Sequence, residues 1–266
     1  MKMKMIAVTA VLAGMAAFLP AQDKQLPPAS VPKGKGISAK EAAAIKKISD
    51  AKSPAERIAA VDALVTNFAD TIFKGEALYE AAEAADQMQD FTKAISYGDL
   101  SIEADPKSGS AMQAKLLVAG ELAQHTGKND LDKDMKLAKA EKYVNEALEM
   151  LPTITKPEGV KISDADWEAF KKDKTSEAHR DLGLIATARQ KYDVAATEFK
   201  TAVDLETMPD IIVMVRLGNA YNETKNYAGA KAILAKVLAT PDLNPQVKQF
   251  ADQEMNRANA GLKNAK

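Results

Sequence analysis

Few residues in this chain are placed to do chemistry. Asp130, Asp132 and Asp134 with Glu141 follow the 1, 3, 5, 12 spacing of a calcium loop, in which carboxylates converge on a hard cation. The sixth position is Met135, where such a loop needs glycine for its sharp turn. The stretch therefore reads as a charged loop entering a helix. His125 and His179 are the two histidines, and neither has metal-ligand spacing. Both read as exposed or hydrogen-bonded structural residues, and they are too few to complete a Ser–His–Asp arrangement. The chain has no cysteine, which removes disulfides, thiolate zinc sites, thiol catalysis and a lipidated cysteine. No glycine-rich loop is built to cradle phosphate. The sequence thus nominates no catalytic residue, metal or cofactor, and the expectation is a protein that is not an enzyme.

Trp167 is the one tryptophan, with Phe170 three residues later on the same helical face. Tryptophan is enriched in binding hot spots, so it is the candidate for a partner-facing anchor. The competing reading is that an isolated apolar face needs a surface to pack on, and that this pair supplies it.

The elements that must position such residues are helical. Alanine is abundant, aromatics are scarce, and runs alternating with period two are missing. The formal net charge is −1, which indicates neither a nucleic-acid binder nor strong electrostatic steering. Basic charge is nearly all lysine, with Arg57, Arg180, Arg189, Arg216 and Arg257 as the fork-shaped donors. Lys2 and Lys4 precede an apolar run from Met5 to Leu19, and Ala21 precedes the polar Gln22-Asp23-Lys24. This is the order of a secretory signal peptide over 1–21, and the run is short for a membrane span. The expectation is a periplasmic or secreted protein without stable membrane insertion after cleavage. Residues 22–37, with Pro27, Pro28, Pro32, Gly34 and Gly36, read as a flexible leader.

Helix signals then recur to the C-terminus. Ser38 with Glu41, and Ser53-Pro54-Ala55-Glu56, are start signals. Later helices read as Gly75 to Met88, Asp90 to Ala104, Ser110 to Gln124, and one ending at Leu151-Pro152. Thr153 to Ile162 reads as a loop. Ser163 restarts a helix expected to break near Thr175 before continuing to Arg189. Three more follow, and Asn244-Pro245 opens a last helix over 245–266.

Within this series two stretches repeat at an offset of 35 residues. Leu182-Gly183 recurs as Leu217-Gly218, Tyr192 as Tyr227, and Ala195 as Ala230. Phe199 becomes Leu234, and Ala202 becomes Val237. A constant period means stacked supersecondary units. The pattern resembles the tetratricopeptide repeat, a helical hairpin with Leu-Gly in its first helix and Ala, Phe and Ala in its second. The close fit covers 177–210 and 211–244. Ala60, Ala94 and Ala140 carry the same register upstream, which places helical repeats over 38–244 with insertions near 124–136 and 154–174. Helices of one hairpin must approach closely, so Gly183 and Ala195 are expected to face each other, with Phe199 filling the space between hairpins.

The resemblance implies an all-α, right-handed superhelix of antiparallel hairpins. It also implies a concave face, built from first helices, that binds a protein or peptide. The register puts Arg180, Arg216, Asn219, Asn222 and Glu223 on that face, with Glu177, Leu184 and Thr187 beside Arg180. Glu76, Tyr79, Glu80, Glu83 and Asp86 lie further upstream. Val215 stands where a carboxylate-clamping member of the family would carry lysine, so that clamp is not expected. The leading expectation is an exported adaptor or scaffold. The alternatives are a small-molecule or glycan-binding, or enzymatic, helical protein with its site near Trp167, and an envelope protein that self-associates.

Overall fold

The computed structural model describes residues 37–156 and 161–264. The expected signal peptide, nearly all of the leader, and Pro157 and Gly159 of the expected loop lie outside the described residues. Among those residues the chain forms eleven helices and no strand. They are α1 (Ala39–Asp50), α2 (Pro54–Asn67), α3 (Lys74–Gln87), α4 (Phe91–Ala104), α5 (Gly109–His125) and α6 (Lys133–Met150). Then come α7 (Asp164–Ala188), α8 (Tyr192–Leu205), α9 (Ile211–Glu223), α10 (Tyr227–Leu238) and α11 (Pro245–Asn264).

The starts are set by side chains that satisfy otherwise orphaned amides. Ser38, Ser53, Ser108 and Ser163 each accept from the amide three residues on, as does Asn226. The expected break near Thr175 is absent. α7 is one helix of 25 residues, about 37 Å long at 1.5 Å per residue. The Thr175 hydroxyl donates to the Lys171 carbonyl one turn back, so the helix absorbs the polar group and runs on.

Each helix packs on its sequence neighbour. Alternate helices also touch: α3 on α5, α5 on α7, and α9 on α11. That is a layer of first helices, with the second helices behind it. Small residues make the layer close: Ala77, Ala81, Ala82, Ala84 and Ala85 of α3 are all buried. The main core runs from Met112 to Ala258 and includes Leu116, Val144, Phe199, Leu234 and Phe250. A smaller core joins α1, α2 and α3 through Ile48, Val61, Leu64 and Leu78.

Within the two clear hairpins the contact differs from expectation. A Cβ added to Gly183 would lie 2.5 Å from the Phe199 ring, and one added to Gly218 would lie 2.7 Å from Leu234. Phe199 therefore fills its own hairpin, directly over Gly183. Leu234 does the same one repeat later. Glycine is needed because the larger residue opposite takes the volume a methyl group would occupy.

Three hairpins close with one and the same turn. Gln89, Gln190 and Lys225 have φ of 59°, 61° and 63°. In each, the next residue's amide reaches back to the helix: Asp90 to Ala85 (2.9 Å), Lys191 to Ala186 (2.8 Å) and Asn226 to Tyr221 (2.7 Å). These are Schellman turns, in which the left-handed position is usually glycine. They put the α3–α4 hairpin in the same class as α7–α8 and α9–α10. The α5–α6 connection, lengthened by its insertion, has no such turn.

A non-glycine residue in the left-handed region costs about 1–2 kcal/mol. Lys225→Gly should therefore raise stability by up to ~1 kcal/mol, and the β-branched Lys225→Val should lower it by more than ~1 kcal/mol. Denaturant unfolding measures both, and equal midpoints for the two variants would contradict the turn assignment.

Candidate functional site

The face projected from the last repeat is not free. Asn222 is buried at 1% exposure, and its amide donates to the Glu254 carbonyl (2.9 Å) and to Glu254 Oε2 (2.7 Å). The Asn219 amide donates to Glu254 Oε1 at 3.1 Å. Glu223 pairs with Arg257 at 2.7 Å. Glu254 and Arg257 both belong to α11, which lies on α9 where a further repeat would place its first helix. The expectation of an open face is thus corrected at Asn222, which is buried; Asn219 is half-buried, and Glu223 stays exposed although it is paired. The chain's own last helix engages all three. A signal for this is present in the sequence: Glu254 shares a helical face with Val247, Phe250, Ala251 and Ala258. A carboxylate on an apolar stripe demands buried donors.

Arg180 and Arg216 are placed differently. Arg180 on α7 donates to Asp181 at 3.1 Å and stands 3.6 Å from Glu177, which in turn takes Lys174 at 2.8 Å. Arg216 on α9 is partly buried and makes no hydrogen bond or ion pair with any described residue. Burial, and the Arg180 charge beside it, push Arg216 down to about 10, with Asp210 and Asp181 offsetting this in part. It stays charged at neutral pH, as a guanidinium with unused donors. Arg180 and Arg216 are near enough for their like charges to act on each other. Leu184 and Val215 are buried, and the Thr187 hydroxyl is bound to the Gly183 carbonyl, so none of these presents a group to a ligand.

Upstream, Glu80 pairs with Arg57, and the Tyr79 hydroxyl donates to Glu83 at 2.6 Å. Trp167 is 6% exposed and stacks on Phe170 at 5.2 Å within the main core. Its indole is part of the packing and is not an exposed anchor. The reason is geometric: the N-terminal turns of α7 extend past the hairpin and need a surface to lie on. Of the acidic loop, Asp130 and Asp132 hold Lys136, and Glu141 holds Arg189. His179 bonds Glu198 at 2.7 Å, and His125 stacks on Phe91 at 3.5 Å.

Removing a partner from a buried hydrogen-bonded charge leaves that charge stranded. Asn222→Ala should lower folding stability by about 1–3 kcal/mol, because Glu254 is 4% exposed and loses two of its donor contacts. An unchanged unfolding midpoint would contradict the α9–α11 tie.

No curated protein matches this chain. A family model, the tetratricopeptide repeat, matches residues 213–242, which span α9 and α10. Among solved structures, a thermophilic TPR protein of Thermus thermophilus is similar with a TM-score of 0.53 at 13% identity, covering 81% of this chain and 96% of that one. The assembly chaperone of RpL4 (residues 1–338) gives a TM-score of 0.47 at 11% identity, covering 86% of this chain and 99% of that one. The chain carries a tetratricopeptide repeat at 213–242 and, over most of its length, has the fold of a TPR protein.

Proposed function

We propose that this protein is an exported, non-enzymatic adaptor that takes an acidic segment of a protein or peptide partner against its first-helix face. The observation that carries the reading is Arg216. A partly buried guanidinium without a bonded carboxylate, beside the like charge of Arg180, is an unfavourable arrangement in the free protein. A carboxylate from outside the chain relieves it and takes up a bidentate fork. The helical-repeat fold supports the same reading, since a preformed face gathers many modest contacts without reorganisation. Export is supported by the basic, apolar, small-residue order of residues 1–21. No helix among the described residues is long and apolar enough to cross a membrane.

Arg216→Ala should weaken partner capture by about 1–3 kcal/mol, roughly fivefold to 150-fold in Kd, without loss of folding stability. Lys200→Ala, at an exposed position of α8, should leave capture unchanged. Titration calorimetry against the captured partner measures both. Equal affinity of the wild type and Arg216→Ala would end this reading.

Cleavage is expected after Ala21, so the exported chain should begin at Gln22. N-terminal sequencing that returns Met1 from the exported fraction would contradict it.

A further inference from the structure

The first-helix layer changes charge along its length. On α3, Lys74 stands against Glu76, Glu80, Glu83 and Asp86, so that helix is acidic. On α7, Lys174 and Arg180 offset Glu177 and Asp181. On α9, Arg216 meets no carboxylate of the described residues.

The acidic side also holds a group that the chain leaves short of a partner. Glu121 of α5 is 7% exposed, and its Oε2 accepts no hydrogen bond. A buried carboxyl oxygen without a donor is costly. The His125 Nε2 stands 3.4 Å away, but burial lowers the His125 pKa, so the ring is neutral at pH 7 and brings no charge. Arg180 acts on Glu121 from α7, yet it is bonded to Asp181 and close to Glu177. Asp86 of α3 is half-buried and near enough for its charge to act on Glu121. Elsewhere on α3, Glu80 holds Arg57, and Glu76, Tyr79 and Glu83 are engaged. Asp86 with Glu121 is therefore where this side of the layer can take a cation from outside.

We propose that the partner segment is bipolar: a lysine or arginine enters between Asp86 and Glu121 while an aspartate or glutamate meets Arg216. The inference rests on the acidic-segment reading and adds to it an opposite charge and a spacing. Arg180 acts on both Glu121 and Arg216, so it lies between the two sites, with carboxylates of its own. The sites are two first helices apart, from α5 to α9, which is about 16–20 Å at ordinary interaxial distances. An extended chain covers that in about five or six residues. Burial, then Asp86 and Asp181, push Glu121 up to about 8, the direction expected of an acid that lacks a cation. An ammonium in contact favours the ionised form and gives the orphaned oxygen a charge-assisted bond.

The probe is a capped peptide with one lysine and one aspartate separated by about five serines, the spacing set by the strand rise. An acid-only form carries glutamine in place of the lysine, and a compact form has a single serine between the charges. NMR titration of the full chain measures all three. For the wild type, the spaced peptide should bind about tenfold tighter than either of the others. In Glu121→Gln that advantage should vanish, and in Asp86→Asn it should shrink, while the acid-only peptide binds these proteins and the wild type alike. Arg216→Ala should weaken the spaced and the acid-only peptides together. Equal affinity of those two peptides for the wild type, or an advantage that survives in both Glu121→Gln and Asp86→Asn, would overturn the bipolar inference and leave the acidic-segment reading standing. Arg216→Ala without effect on either peptide would sink both.

Discussion

At Gly183 the backbone of α7 lies so close to α8 that the Phe199 ring occupies the volume of the missing side chain. This contact, repeated between Gly218 and Leu234, is what the rest of the array depends on. It fixes how far apart the helices of a hairpin sit and how each is rotated about its axis. Rotation decides which residues face the next hairpin and which face outward. Once Gly183 is turned toward α8, Arg180 and Asp181 must point along the first-helix layer. The turns at Gln190 and Lys225 hold the same geometry from the backbone side, and they tolerate a left-handed residue because the hairpin contact over-determines them.

A stacked array leaves its last first helix without a neighbour, and α11 fills that place. The face that repeats use to meet one another is taken here by Glu254 and Arg257. This makes the C-terminal helix a polar partner of the fold. The same layer carries buried charge along its length, from Asp86 and Glu121 to Asp181 and Arg180. Such groups stabilise little by themselves but are strict about geometry.

Much of the architecture is legible in the sequence because packing leaves a periodic mark. The Leu-Gly and Ala-Phe-Ala spacing locates both clear hairpins, and serine caps locate helix starts. Trp167 and Phe170 sit on one face, which is what a packed pair requires. Three things are not legible, each for a physical reason. The turns escape notice because glutamine and lysine stand where glycine would signal a left-handed residue. The continuity of α7 escapes notice because Thr175 satisfies its hydroxyl inside the helix, and that choice depends on surroundings. The pairing of Asn219 and Asn222 with Glu254 joins residues more than thirty positions apart. A helical projection of one hairpin places those asparagines on an open face; only the stacked array reveals what covers them.

The central claim is that the Gly183–Phe199 contact sets the register of the array, and a double-mutant cycle tests it most directly. Gly183→Ala adds a methyl group where the ring lies, so in the otherwise wild-type chain it should cost about 1–3 kcal/mol by overpacking. In the Phe199→Ala background that volume is vacant, and the same change should become neutral or stabilise by up to ~1 kcal/mol through helix propensity. Denaturant unfolding of the four proteins gives the coupling energy. If Gly183→Ala has the same effect in both backgrounds, the two residues do not share that space and the register is wrong.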